Sequence, residues 1–293
     1  MKVLKFGGTS VGSVESLKNV KNIVESQDDQ VIVVVSALGG VTDLLLDMTH
    51  KAEARDDSYE PMVEQLLNRH NSVIEGVVPA NQQAQCKAIM QQFIVQGLTQ
   101  FFSMLYANQN LDADYKAQVE DAIVAHGETL SSAIVTCMLG AVPHFSPNFI
   151  KTKDVDGERL IDNATFDLIA QEFKGRKEKV HVTQGFISED SSNGAKTNLG
   201  RGGSDFTAAL IAAALDASSL EIWTDVDGFY TADPKKDPTA TIMPRMTYQQ
   251  ALDMCQAGAK VIYAPTLSPV AIKHIPVWVK NTFNPQAPGT LID

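Results

Sequence analysis

Short apolar runs alternate with longer amphipathic stretches along this chain, the pattern of strands and helices layered around a sheet. The apolar runs predict strands over Val3–Phe6, Val31–Ser36, Val180–Gly185, Leu220–Asp225 and Val277–Asn281. The amphipathic stretches predict helices over Val14–Ser26, Val41–Ala54, Pro61–Glu75, Ala84–Tyr106, Tyr115–Leu139, Asn163–Phe173, Ser204–Leu215 and Tyr248–Ala257. Within them, Ser58–Ala113 is helical in pattern with little glycine or proline, so it reads as a helical subdomain beside the sheet, serving as scaffold. The polar segment Glu189–Gly194 reads as an exposed turn closing a hairpin, because Asn193-Gly194 tolerates positive φ. No internal repeat or low-complexity tract interrupts this α/β pattern.

Two glycine loops stand out, the first at the end of a predicted strand and the second at the start of a predicted helix. The first, Lys5-Phe6-Gly7-Gly8-Thr9-Ser10, offers backbone N–H groups at Gly7 and Gly8, hydroxyls at Thr9 and Ser10, and a cation at Lys5, the donors an anion needs. A plain Gly-Gly turn with a solvated lysine fits the same residues. The second, Gly200-Arg201-Gly202-Gly203-Ser204-Asp205, opens an alanine-rich helix that Ser204 or Asp205 can cap, with its positive end facing whatever the glycines cradle. Neither loop has the Walker spacing, which argues against an ordinary P-loop NTPase.

Composition narrows the classes. At 293 residues and 44% hydrophobic content the chain can bury a sizeable core, as one large domain or two modest ones. A net charge of -11 argues against a nucleic-acid or anionic-membrane surface, so an anionic ligand must be drawn by local cations. No apolar run approaches the roughly 18 residues of a membrane span, and Met1-Lys2 leads straight into a strand, so a cytoplasmic protein is expected. Cys86, Cys137 and Cys255 form no C-x-x-C pair, and the six histidines show no tight ligand spacing, so neither a disulfide framework nor a zinc site is indicated.

Taken in order, the two glycine loops, Trp223-Thr224-Asp225-Val226-Asp227-Gly228-Phe229-Tyr230 and Gly258-Ala259-Lys260-Val261 resemble the amino acid kinase superfamily and, within it, aspartate kinases. The resemblance spans essentially the whole chain. The segment Lys280–Thr290 is most similar to the kinase portion of bifunctional aspartate kinase/homoserine dehydrogenases. The implied fold is a three-layer α/β domain with a mainly parallel central sheet and two lobes, an acceptor-binding one over about residues 1–200 and a nucleotide-binding one over about 201–293. The implied reaction transfers the γ-phosphoryl group of ATP to the β-carboxylate of L-aspartate, giving 4-phospho-L-aspartate, the first step toward lysine, threonine and methionine. Magnesium is expected to ride on the nucleotide, so no metal-ligating residue is assigned. A homodimer is an assembly the resemblance allows.

Residue by residue, the resemblance gives Lys5 the stabilisation of charge on the transferring phosphoryl group and Asp205 an organising role. A bare carboxylate there would repel phosphates unless it held a lysine or a metal, and Asp205 as a helix cap remains the alternative. Arg201 offers a planar fork for a carboxylate and Glu128, in Gly127-Glu128-Thr129-Leu130-Ser131, a partner for an ammonium group. The resemblance adds Ser204, Ser36 and Thr42 to the acceptor site, and places Thr224, Asp225, Tyr230, Lys235, Lys260 and Val261 at the nucleotide. Departures from the family pattern are Thr129 for a basic residue, His126 for arginine, Ile262-Tyr263-Ala264 before Pro265, and Lys235 for arginine. Glutamate, N-acetylglutamate and carbamate kinases are rival assignments, although an ammonium partner is wasted on an N-acetylated substrate. A dinucleotide-binding domain would need G-x-G-x-x-G and an acidic residue about 20 positions later, which the first loop lacks. A catalytically silent regulatory module is the third alternative. Aspartate kinases usually continue into small regulatory domains, so a feedback-ligand site is not expected within these residues.

Overall fold

The structure, a computed structural model, describes residues 1–108, 110–234 and 236–293. Its strands are β1 (Lys2–Phe6), β2 (Val31–Val35), β3 (Val142–His144), β4 (Lys151–Val155), β5 (Glu158–Ile161), β6 (Val180–Gln184), β7 (Ile187–Asp190), β8 (Lys196–Asn198), β9 (Ser219–Thr224), β10 (Arg245–Met246), β11 (Val277–Asn281) and β12 (Thr290–Ile292). Its α-helices are α1 (Gly8–Val11), α2 (Val14–Glu25), α3 (Val41–Glu53), α4 (Glu60–Val77), α5 (Ala80–Met90), α6 (Thr99–Ala107), α7 (Ala113–Leu139), α8 (Ala164–Phe173), α9 (Gly203–Ala214), α10 (Tyr248–Gln256) and α11 (Leu267–Ile272).

An eight-stranded sheet runs in the order β10, β12, β11, β9, β1, β2, β6, β3. Its pairs are parallel except β11 with β12. Both faces are covered, which explains why β2 is five aliphatic residues with no polar alternation, all buried. Leu4, Phe6, Val33, Val35 and Val182 point to one core, shared with α2, α3, α7 and the helical subdomain. Val3, Ile32, Val34, Leu220, Ile222 and Val279 point to the other, under α8, α9 and α11. This is the three-layer α/β arrangement expected. Both predicted lobes share the sheet, because β1 pairs with β2 on one side and β9 on the other.

The smaller sheet, β5, β4, β7, β8, was not visible in the apolar pattern. Its β4 and β5 carry Lys, Asp, Glu and Arg and are largely exposed, so they hold no apolar run. The predicted hairpin is there, with β7 antiparallel to β8 and Gly194 at φ +73°. The single helix expected over Ala84–Tyr106 is α5, a π-helical stretch Gln91–Leu98 and α6. Gly97 lies in the π turns against His126; a Cβ there would come 3.3 Å from Nε2. Contrary to the sequence reading, one helix, α7, is long and apolar enough to cross a membrane by length and composition. Two thirds of its apolar window is buried inside the fold.

Candidate active site

Five of the strands that meet at the centre of the large sheet are parallel, and the strand order reverses around β1, so the loops at their carboxyl ends open a crevice there. Lys5, on β1, points toward α9. Its Nζ lies 2.6 Å from Asp205 Oδ1, with both side chains largely buried. Asp205 Oδ2 accepts the Tyr263 N–H at 3.3 Å. Asp205 therefore holds the lysine rather than capping the helix. Neither it nor Ser204 caps α9: the N-cap is Gly202 at φ +75°, and Gly203 N–H closes a tight turn onto Gly200 O at 2.9 Å. The Tyr263 ring lies where a Cβ at Gly202 would be, 2.2 Å from its Cγ, so this departure from the family pattern packs onto the glycine loop. Ser204 is buried against the end of β6; a Cβ on Gly185 would meet its Cβ at 2.5 Å. Arg201 stands exposed at the rim of the loop.

The first glycine loop is tighter than the sequence suggests. Gly7 donates to Trp223 O at 3.3 Å and precedes the single turn α1, which begins at Gly8. Thr9 is exposed. Ser10 is fully buried, its hydroxyl 2.7 Å from Thr282 Oγ1 and 3.3 Å from Trp223 O, so it fastens α1 to the strand ends instead of facing an anion.

Opposite lies the loop from Ser36 to Thr42, joining β2 to α3. Ser36 N–H bonds Phe6 O at 3.1 Å and Gly39 N–H bonds Gly8 O at 2.9 Å, so the loop rides on the first glycine turn. Ser36 and Thr42 are half-buried. α7 approaches this loop at Gly127, where a Cβ would sit 2.8 Å from Ala37 Cβ. That closeness lets Glu128, 5% exposed, accept the Ala37 N–H on Oε1 at 3.1 Å. Its Oε2 has no hydrogen-bond partner among the described residues. Burial pushes the carboxyl up to about 7, against the pull of the Ala37 N–H and the Lys5 charge.

On the far side of β9 a cleft of ≈ 680 Å³ is lined by Asp225, Tyr230, Lys236, Lys260 and Val261, among others. Gly258, at φ +105°, turns the chain into Lys260. Tyr230 is raised by burial and by the Asp227 charge, while Asp227 itself accepts from Asn281 Nδ2 at 2.7 Å. Thr224 ends β9 half-buried, its hydroxyl 3.3 Å from Asp225 Oδ1, and is not part of the cleft wall. Lys235 lies outside the described residues; Lys236, which the sequence reading does not name, lines the cleft. Among the described residues no group of three or more His, Cys, Asp or Glu side chains could hold a metal ion.

Comparison with known proteins adds a family to this geometry. The chain is 33% identical to the bifunctional aspartokinase/homoserine dehydrogenase of Haemophilus influenzae and to the chloroplastic one of Daucus carota, over 100% and 98% of its length. It spans about a third of those relatives, 36% and 32% respectively. E. coli aspartokinase III, solved in complex with aspartate and ADP, superposes with a TM-score of 0.85 at 31% identity, covering 100% of this chain and 64% of that one. The profile of the Amino acid kinase family matches residues 1–281, and with the sheet order and paired glycine loops already described, the chain belongs to that family.

Proposed function

We propose that this chain is an aspartate kinase catalytic domain, converting ATP and L-aspartate to ADP and 4-phospho-L-aspartate. The observation that carries this is the Lys5–Asp205 pair at 2.6 Å, with the Lys5 charge acting on the buried Glu128, one oxygen of which lacks a partner among the described residues. Similarity to aspartokinases along the whole chain supports the same substrates.

In this reaction a β-carboxylate oxygen attacks the γ-phosphorus and the bond from that phosphorus to the ADP oxygen breaks. The acceptor is already ionised, so no general base is required; fixed positive charge is. Lys5 supplies it, held in place by Asp205. Arg201 is suited to the α-carboxylate and Glu128 Oε2 to the ammonium group, with Ser36, Thr42 and Ser204 around them. Gly7, Gly8, Gly202 and Gly203 bring backbone to the phosphates, and Tyr230, Lys260 and Val261 wall the nucleotide side. Magnesium belongs here as a nucleotide-borne ion, because it prefers phosphate oxygens and water, and the nearby Asp205 is already engaged by Lys5. The division into an acceptor lobe and a nucleotide lobe, and a cytoplasmic setting, are parts of the same proposal.

Glu128 favours a free amino acid over N-acetylglutamate or carbamate, because its unpartnered oxygen calls for a cation. Trapping the acyl phosphate with hydroxylamine across a panel of amino acids, with ATP and magnesium, tests the assignment. Hydroxamate from aspartate well above all others is expected. Equal or greater yield from glutamate or an N-acetylated acid would overturn it.

A further inference from the structure

The helical subdomain does more than buttress the sheet. Arg69, on α4 and half-buried, donates from Nη2 to the carbonyl of Gly39 at 2.6 Å. Gly39 N–H, in turn, donates to Gly8 O at 2.9 Å. The backbone of Gly39 is therefore gripped from two sides, by the first glycine turn and by a guanidinium. Gly8 and Gly39 are packed closely enough that a Cβ on Gly39 would come 3.1 Å from Gly8 O, and one on Gly8 3.2 Å from Ala37 O. Beyond that grip the loop is open: Gly40, at φ +79°, is exposed, with nothing within 4 Å of a Cβ placed on it. Glu128 fixes the beginning of the loop at Ala37 N–H, and Arg69 fixes its middle at Gly39 O.

α4 is itself anchored beside the site. A Cβ on Gly76 would lie 2.5 Å from a Val14 methyl, so α4 packs hard against the start of α2, just beyond the first glycine turn. The guanidinium thus reaches Gly39 from a helix packed on the segment that follows the turn whose Gly8 carbonyl the Gly39 N–H contacts.

We propose that Arg69 is a positioning residue for acceptor binding: by clamping the Gly39 carbonyl it holds Ser36 and Thr42 in the geometry that receives the amino acid. The proposal rests on the acceptor role assigned to that loop. A charged donor on a carbonyl is a strong contact, and a lysine can supply one such bond although not the planar fork.

The test uses the full chain with Arg69→Ala and Arg69→Lys. Steady-state kinetics should show an aspartate KM raised roughly 10-fold in Arg69→Ala with the ATP KM within about two-fold, and a partial return in Arg69→Lys. Amide hydrogen exchange over residues 38–42 should quicken in Arg69→Ala while exchange in β1 and β2 does not. Unchanged aspartate KM, or losses in both KM values that follow a general fall in melting temperature, would overturn the positioning role. The exchange measurement needs no turnover. If the wild-type chain makes no acyl phosphate, the aspartate kinase assignment fails, while faster loop exchange in Arg69→Ala still supports the clamp and identical exchange still defeats it.

Discussion

Lys5 and Asp205 stand 200 positions apart and meet at 2.6 Å, so each determines what the other can do. Lys5→Ala should lower kcat by roughly 100-fold or more and leave the ATP KM within a few-fold, because the lost charge acts mainly on the transition state. It also strips a buried carboxylate of its partner, so a melting curve should accompany the assay; an enzyme that stays folded and active would remove Lys5 from catalysis. Arg201 is exposed and should behave differently. Arg201→Ala should raise the aspartate KM by about 10-fold or more, the scale of a charged hydrogen bond of about 1.5–3 kcal/mol, and an unchanged KM would take it out of the site. Glu128, pushed to about 7, must be ionised to receive an ammonium group. Accordingly kcat/KM for aspartate should fall as pH drops through about 7, and Glu128→Gln should flatten that limb while raising KM.

At the scale of elements, the close approaches matter more than the caps. Gly185, just after β6, packs against Ser204 at the start of α9, with Ser204 Cα only 2.7 Å from where a Cβ would go. Gly185→Ala must therefore push the strand end from the helix, moving the second glycine loop. We expect a loss of about 1–3 kcal/mol in a denaturant melt and a larger proportional loss of activity; neutrality in both would show that the two elements slide freely. The same elements show how far the sequence was legible. β1, β2, β6, β9 and β11 were predicted nearly to their ends because their buried positions concentrate Val, Ile, Leu and aromatic residues in short stretches. β4 and β5 were not, because an exposed polar hairpin shares its composition with a loop. The glycine loops were legible as loops, but the engagement of Ser10 with Thr282 was hidden by sequence separation, and so was the Gly127–Ala37 contact that aims Glu128. Arg69 carried no signal, since an arginine in the middle of an amphipathic helix is usually a solvated charge.

Across the whole molecule, buried histidines set the response to acid. His70, His126, His144 and His181 are all buried, and burial lowers each from 6.5, His70 to about 4. His144 sits in a relay, with Nδ1 2.6 Å from Glu172 and Nε2 2.9 Å from His181 Nδ1. Below 6.5 the unfolded chain takes up protons that the fold refuses, so this stability is present at neutral pH and is lost as pH falls, for His70 down to about 4. Glu128 runs the other way, its raised carboxyl favouring the fold at low pH and losing that contribution between 4.5 and about 7. Asp121, also raised by burial, runs the same way as Glu128. Four groups oppose two, and the melting temperature should fall from pH 7 to pH 5. His70→Leu should reduce that slope by up to about 1.4 kcal/mol per pH unit; a melting temperature that holds or rises on acidification would contradict the assignment of these groups as neutral. The position of β1 has a further consequence, for biosynthesis. Its residues Lys2–Phe6 find β2 soon after synthesis, but their other neighbours, Ser219–Trp223, follow more than 200 residues later. At about 5–20 residues per second the nascent strand waits roughly 10–40 s with one edge bare. Placing the lysine on the innermost strand therefore leaves, on every ribosome, an interval in which an unpaired aliphatic edge must be kept from other chains.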